Sequence, residues 1–197
     1  MVIVNLEIRN QSDSTCVCAL LDLQIREALL SDAKGICEIH NQAIVEGAAT
    51  FETEVRTESD ICKLMQEHDE RHPMLVAVSY NDVNLGQQPE TIVGWASIST
   101  YRPRSCYSGI GEFSIYVREG LRGRGVGKRL MISLIEEGKR LGYWKLLSRI
   151  FPSNSVSRSL CKSCGFREVG TYEKHGKLNG QWIDTIIVER LIHENLT

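Results

Sequence analysis

Phe113-Ser114-Ile115-Tyr116-Val117-Arg118-Glu119-Gly120-Leu121-Arg122-Gly123-Arg124-Gly125-Val126-Gly127-Lys128 carries a strand, a turn and the start of a helix in sixteen consecutive residues. Residues 113–117 are β-branched and aromatic enough to read as a strand. From Val126 the apolar residues Leu130, Met131, Leu134 and Ile135 recur at helical spacing, and Gly142 stands where a cap would end the helix. Between strand and helix lie the glycines. Their lack of a side chain lets successive N–H groups approach an anion, and the helix N-terminus adds favourable partial charge, so a phosphate is the expected ligand. Arg122, Arg124 and Lys128 reinforce that expectation, whereas a plain tight turn with solvated cations is the simpler alternative. Two common phosphate motifs are excluded by position. A dinucleotide fingerprint would need glycine where Lys128 stands, and a P-loop would need glycine at Arg122 and Ser or Thr at Arg129.

Upstream, Ser31 and Asp32 offer a helix N-cap ahead of Ile36, Ile39, Ala43 and Ile44, which form one apolar stripe. A more charged helix follows Thr57 and is closed by Pro73. Residues 75–78 and 91–99 read as strands of an antiparallel hairpin joined by the Asn-, Asp-, Gly- and Gln-rich segment 79–90, with a loop at 100–109. Downstream come a strand at 145–151, a short helix at 154–164 stopped by Gly165, and closing strands at 166–172 and 182–191. The order β-β-β-α-β-α-β-β, preceded by helices, places the chain in the α/β class. Residues 1–23 show no period and are taken as an N-terminal extension to a single domain, 24–197.

The length of 197 residues suits one domain, and 42% hydrophobic with 24% charged residues is an ordinary globular composition. A net charge of -2 gives no electrostatic reason to expect a nucleic acid or an anionic membrane as partner. Residues 1–18 lack the basic start and apolar run of a signal peptide. The seven cysteines are an odd number and fit reduced thiols in a cytoplasm. Cys161 and Cys164 form a C-x-x-C pair and Cys16 and Cys18 a second pair, so zinc or redox chemistry is conceivable; buried thiols on a helix explain the first pair more simply, and no metal is expected. The five histidines show no ligand spacing, and His40 and His72 read as structural or surface residues.

Arg122, Gly125 and Gly127 match the pattern [QR]-x-x-G-x-[GA], and Asn154, Ser157 and Leu160 followed by Cys164-Gly165-Phe166 match N-x-x-[AS]-x-x-L-x-x-x-G-F. On these motifs the chain resembles the GNAT superfamily of N-acetyltransferases. It is similar more narrowly to the phosphinothricin and methionine sulfoximine acetyltransferases, through Ile39-His40-Asn41, His72-Pro73-Met74-Leu75-Val76-Ala77, residues 102–117 and Gly180-Gln181-Trp182-Ile183-Asp184, covering residues 25–191. The resemblance implies a mixed, mostly antiparallel central sheet with a splayed strand pair, flanked by helices. It implies acetyl-CoA as co-substrate, its pyrophosphate on Arg122, Gly123, Arg124, Gly125, Val126, Gly127 and Lys128, and its pantetheine paired with Ile115, Tyr116 and Val117 as an added strand. Asn154 and Ser157 are expected at the same cofactor site. A β-bulge near Val117 would aim a backbone N–H at the oxyanion of the reaction.

Acyl transfer needs a neutral amine, so a base is required, and Glu112 occupies the position of the family's general base; an exposed strand-end carboxylate is the alternative. Cys161 stands where relatives have Tyr or His near the departing thiolate, and either acts as a weak acid or leaves that thiolate unassisted. Arg102, Pro103 and Arg104 lie in the loop that meets substrate in the resembled enzymes, where a guanidinium can grip a carboxylate or phosphinate. Phe113 and Ser114 are expected beside Glu112 at the substrate, and Phe51 and Trp182 as pocket walls or core aromatics. The implied activity is acetylation of the amino group of a small amino-acid-like molecule. Another amine (a protein N-terminus, a polyamine, an aminoglycoside) and a CoA-binding module without catalysis are the alternatives. A homodimer follows from the resemblance alone.

Overall fold

A computed structural model describes residues 23–67, 70–80 and 90–196. In chain order these comprise β1 (Leu23–Glu27), α1 (Ala33–Glu46), α2 (Glu58–Glu67), β2 (Met74–Ser79), β3 (Thr91–Thr100), β4 (Ile110–Val117), α3 (Val126–Arg140), β5 (Lys145–Ile150), α4 (Ser155–Ser163), β6 (Arg167–Leu178) and β7 (Gln181–Leu191). The strands form one sheet in the order β1-β2-β3-β4-β5-β7-β6. Only β4 and β5 are parallel, as the crossover through α3 requires; every other pairing is antiparallel.

The expected order of elements is present with one addition. Leu23–Glu27 pairs with β2 from Leu23↔Ser79 to Glu27↔Leu75, so Leu23, placed in the extension, opens the sheet instead. Arg26 of this strand donates to Asp32 at 2.6 and 3.0 Å. Asp32 also accepts from the Leu29 N–H at 2.8 Å, and makes no side-chain cap bond to α1 despite its N-cap position. Its carboxylate is drawn back by a guanidinium, which outbids the neutral N–H groups of the helix. Burial pushes the Asp32 carboxyl up, but the Arg26 and Leu29 hydrogen bonds outweigh it and the group is held below its ordinary value. Residues 1–22, with Cys16 and Cys18, and most of the expected turn 79–90 lie outside the described residues.

Helices cover both faces of the sheet. Ala33, Ile36 and Ile39 of α1 and Ile61 of α2 pack on Met74, Val76 and Val78 of β2 and on Ile92 and Trp95 of β3. On the opposite face Val126, Leu130, Met131 and Leu134 of α3, with Cys161 and Cys164, pack on Leu75, Ala77, Val93, Ala96, Ile98, Phe113, Leu146 and Ile150. Side chains alternate along a strand, so Ile92 and Val93 lie on opposite faces. Val93 and Gly94 nevertheless both meet the α3 side, where a Cβ on Gly94 would lie 2.9 Å from Leu130. The register explains this. Ala77 pairs with Gly94 and Val78 with Ile92, leaving Val93 as an extra residue in β3. No bulge interrupts the β3–β4 pairing up to Val117, where one was expected, since those strands pair regularly from Gly94↔Val117 to Thr100↔Gly111.

The splay is explicit in the pairing. β4 and β5 share Ile110↔Lys145, Gly111↔Leu146 and Glu112↔Leu147, and no further pairs, although β4 continues to Val117 and β5 to Ile150. Among the described residues, no strand lies beside the backbone groups along that side of Phe113 to Val117.

Candidate active site

The turn expected to hold phosphate sits at the N-terminus of α3. Gly123 and Gly125 have φ of 75° and 85°, left-handed values that side chains resist, and Gly125 is the N-cap with no side chain to satisfy the first N–H groups of the helix. Gly127 permits close packing. A Cβ there would lie 3.2 Å from Leu160 of α4 and 3.5 Å from Val117 at the end of β4. Arg124 and Lys128 are exposed and form no ion pair among the described residues. Arg122 is differently committed, donating to both oxygens of Glu46 at 2.8 and 2.9 Å and to the Val117 carbonyl at 3.3 Å. It braces α1 and β4 around the turn. These residues fit an anionic cofactor group: open glycine positions, helix N–H groups without side-chain partners, and two uncommitted cations.

Asn154 caps α4, its Oδ1 accepting from the Ser157 N–H at 3.0 Å while its Nδ2 donates to the Ala48 carbonyl at 3.3 Å. Both ends of its side chain are thus structural, and Ser157 meets it through its backbone. Ile115 and Val117 pack on the α3 side. Tyr116 points the other way, stacked on Trp95 with centroids 4.8 Å apart and 5.2 Å from the His40 ring. Burial, with the nearby charge of Glu52, pushes its phenol up to about 12, so it stays protonated.

On the α1 and α2 face, beyond the reach of both helices, lies a cleft of about 310 Å³ lined by Tyr101, Arg102, Glu112, Leu147, Arg149, Tyr172, His175 and Ile187. Glu112 and Leu147 close the paired part of β4 and β5, and Arg149 follows on the same face where the strands have parted. Its guanidinium reaches back to Glu112 Oε1, from Nε at 3.1 Å and from Nη2. Arg102 stands over the Tyr101 ring, 5.2 Å from its centroid. Tyr172 and His175 stack with centroids 4.8 Å apart. They flank a bulge of β6 in which Lys174 adopts a φ of 48° and its N–H is held by Asp184 Oδ1 at 2.7 Å.

Of the expected substrate residues, Glu112 and Arg102 meet in this cleft. Pro103 and Arg104 are exposed and do not line it. Ser114 shares the face of Glu112 but pairs with Ser97 away from the lining. Phe113 is a correction: strand alternation turns it into the core, 2% exposed, against Phe166 at 5.0 Å. Phe51 packs edge-on to Phe151 at 4.8 Å, beside Gly176, and Trp182 is 56% exposed beneath Lys177; neither lines the cleft. Cys161 is buried in the cluster that holds Phe113, across the sheet from the Glu112 carboxylate, and burial pushes its thiol up to about 12. Arg149, Tyr172 and His175 were not anticipated. Arg149 had one local signal, a charge inside the otherwise uncharged, mostly apolar Leu146-Leu147-Ser148-Arg149-Ile150-Phe151 run.

The glycine turn and the carboxylate cleft therefore lie on opposite faces of one sheet, and the gap between β4 and β5 lies between them. Among the described residues no group of three or more His, Cys, Asp or Glu side chains is placed to hold a metal ion.

Comparison with known proteins supports the same chemistry. The chain is 29% identical over 169 residues to a phosphinothricin N-acetyltransferase of Streptomyces coelicolor, covering 86% of this chain and 96% of that protein. It is 28% identical over 173 residues to an L-methionine sulfoximine/L-methionine sulfone acetyltransferase of Pseudomonas paraeruginosa, covering 86% and 94%. A solved phosphinothricin acetyltransferase of Sinorhizobium meliloti, in complex with AcCoA, superposes with a TM-score of 0.76 at 26% identity, over 86% of this chain and 88% of that one. The sequence model of the acetyltransferase (GNAT) family matches residues 37–166. With that match and the splayed sheet, the chain belongs to the GNAT family of acetyltransferases, enzymes that take their acetyl group from acetyl-CoA.

Proposed function

We propose that this acetyltransferase modifies the amino group of a small amino-acid-like substrate of the phosphinothricin or methionine sulfoximine type, with Glu112 as general base. The observation that carries this reading is Glu112 at the mouth of the β4–β5 gap, in a cleft it shares with two arginines. Acetyl-CoA supplies the acetyl group as a thioester. The α3 N-terminus, Arg124 and Lys128 would hold its phosphates, and β4 beyond Glu112 would take its pantetheine arm. Arg102 would grip an acidic group of the substrate, placing the amine at the Glu112 carboxylate, which is partly exposed and takes the amine proton.

Cys161 is left out as proton donor. A thiol held at about 12 is a weaker acid than an ordinary thiol near 8.5, so proton transfer from it to the departing thiolate runs uphill. That thiolate leaves without help from this residue.

Release of free CoA thiol from acetyl-CoA with a panel of amines tests the reading. Acidic and neutral amino acids should be acetylated, and polyamines and aminoglycosides should not, because two guanidinium groups against one carboxylate repel a polycation. Turnover confined to polycations or to peptide N-termini would reject it.

A cytoplasmic homodimer belongs to the same proposal. β6 is an edge strand exposed along nearly its whole length, and Val169, Tyr172, Trp182 and Leu191 of the β6–β7 arm are exposed apolar side chains. No helix among the described residues is long and apolar enough to cross a membrane. Light scattering at micromolar concentration decides the dimer, and a strictly monomeric active protein would dismiss it.

A further inference from the structure

Arg102 and Arg149 face the cleft together with a single carboxylate, Glu112. Both hydrogen bonds from Arg149 end on Glu112 Oε1, one from Nε and one from Nη2. Its Nη1 makes none among the described residues, and the side chain is 43% exposed. A guanidinium is a planar fork of five donors, so the edge turned from Glu112 remains available to a second anion. The backbone beneath it is fixed, because Arg149 pairs with Ile187 of β7.

The charge balance changes during the reaction. When Glu112 takes the amine proton its carboxylate becomes neutral, and Arg149 loses the charge it was paired with. A substrate whose side chain ends in an acid restores that balance at the moment it is needed, whereas a neutral terminus does not. Such an interaction strengthens as the reaction proceeds and so favours turnover as well as binding.

We propose that Arg149 is the specificity-determining residue of the cleft, selecting amino acids whose side chain ends in an anionic acid group over those ending in a neutral polar group. It rests on the proposed function above, in which Glu112 receives the amine, with the acidic group held by Arg102 taken as the α-carboxylate common to both kinds of substrate. Arg149 differs from a residue that only holds Glu112 in place. A positioning role would slow all substrates alike, while selection changes their ratio.

The test compares kcat/KM for phosphinothricin, which ends in a phosphinate, with that for methionine sulfone, which ends in a neutral sulfone, in the full-length protein and in Arg149→Met and Arg149→Lys. Calorimetric titration of both compounds in the presence of CoA follows binding without turnover. The wild-type protein should favour phosphinothricin, and Arg149→Met should reduce the ratio by about ten- to a hundredfold, the worth of a hydrogen-bonded charge pair. Arg149→Lys, with the charge but not the fork, should fall between them. An unchanged ratio in folded Arg149→Met, or no preference in the wild type while both compounds are acetylated, would overturn the assignment and leave the proposed function standing. Failure of the wild-type protein to acetylate or bind any amino acid would overturn both.

Discussion

Glu112 of β4 and Leu147 of β5 are the final pair before the two strands separate. The carboxylate therefore stands where a molecule entering from the α3 face would meet one bound on the α1 and α2 face. Replacing Glu112 by Gln keeps its size and most of its hydrogen bonding but removes the carboxylate proposed as base. Turnover should fall about 10²–10⁴-fold, with acetyl-CoA affinity nearly unchanged. Steady-state rates at neutral pH alongside calorimetry of the cofactor check this, and near wild-type turnover would reduce Glu112 to a structural residue.

Gly125 and Gly127 shape the turn proposed to hold phosphate in different ways. Gly125 has a φ of 85° and Gly127 has Leu160 3.2 Å from where a Cβ would lie. Val at both positions should strain the turn and push α3 from α4, lowering acetyl-CoA affinity roughly tenfold or more through lost charge-assisted N–H bonds. Calorimetry on a double variant shown by circular dichroism to be folded provides the measurement. Unchanged affinity would place the cofactor elsewhere.

Cys161→Ala should leave kcat within a few-fold of wild type. Its side chain is 1% exposed in the core, so the cost appears in stability instead, as a cavity worth about 1 kcal/mol. Thermal melts and initial rates separate the two effects. A hundredfold loss of kcat with the melt preserved would restore Cys161 as proton donor.

His40 ties stability to pH. Its ring is 4% exposed between Trp95 and Tyr116, and Nε2 lies 3.3 Å from Glu52 Oε1 without an aligned hydrogen bond. Burial lowers its affinity for a proton, outweighing the attraction of Glu52, and Arg56 adds to the lowering. The folded value thus lies below the ordinary 6.5, and the unfolded chain binds the proton first as pH falls. This contribution is complete above 6.5 and is lost as pH drops through the folded value, by at most about 1.4 kcal/mol per pH unit. Urea denaturation from pH 7.5 to 5 should show the slope, and His40→Gln should flatten it; an unchanged slope in that variant would assign it to other groups.

Local patterns were enough to recover most elements. The apolar period of α3, the glycines before it and the alternation of the strands are written in neighbouring residues, because helices, strands and turns form from contacts a few positions apart. The glycine turn at the start of α3 and the position of Glu112 beside it were legible for the same reason, each lying within one short motif. β1 escaped because five residues at a sheet edge offer little period, and Asp32, which stands at the N-cap of α1, makes no side-chain cap bond because the Arg26 that claims it belongs to that strand. Phe113 was placed at the substrate although alternation from Glu112 turns it inward. Arg149 and Glu112 are 37 residues apart, and only the parallel pairing of β4 and β5 through the α3 crossover makes them neighbours. Tyr172 and His175 reach the same cleft because a bulge in β6, pinned by Asp184, turns them toward it. Sequence therefore determined the strand, glycine turn and helix and the carboxylate beside them, while tertiary structure alone decided which charges meet in the cleft, since electrostatic partners are set by distance in space and not along the chain.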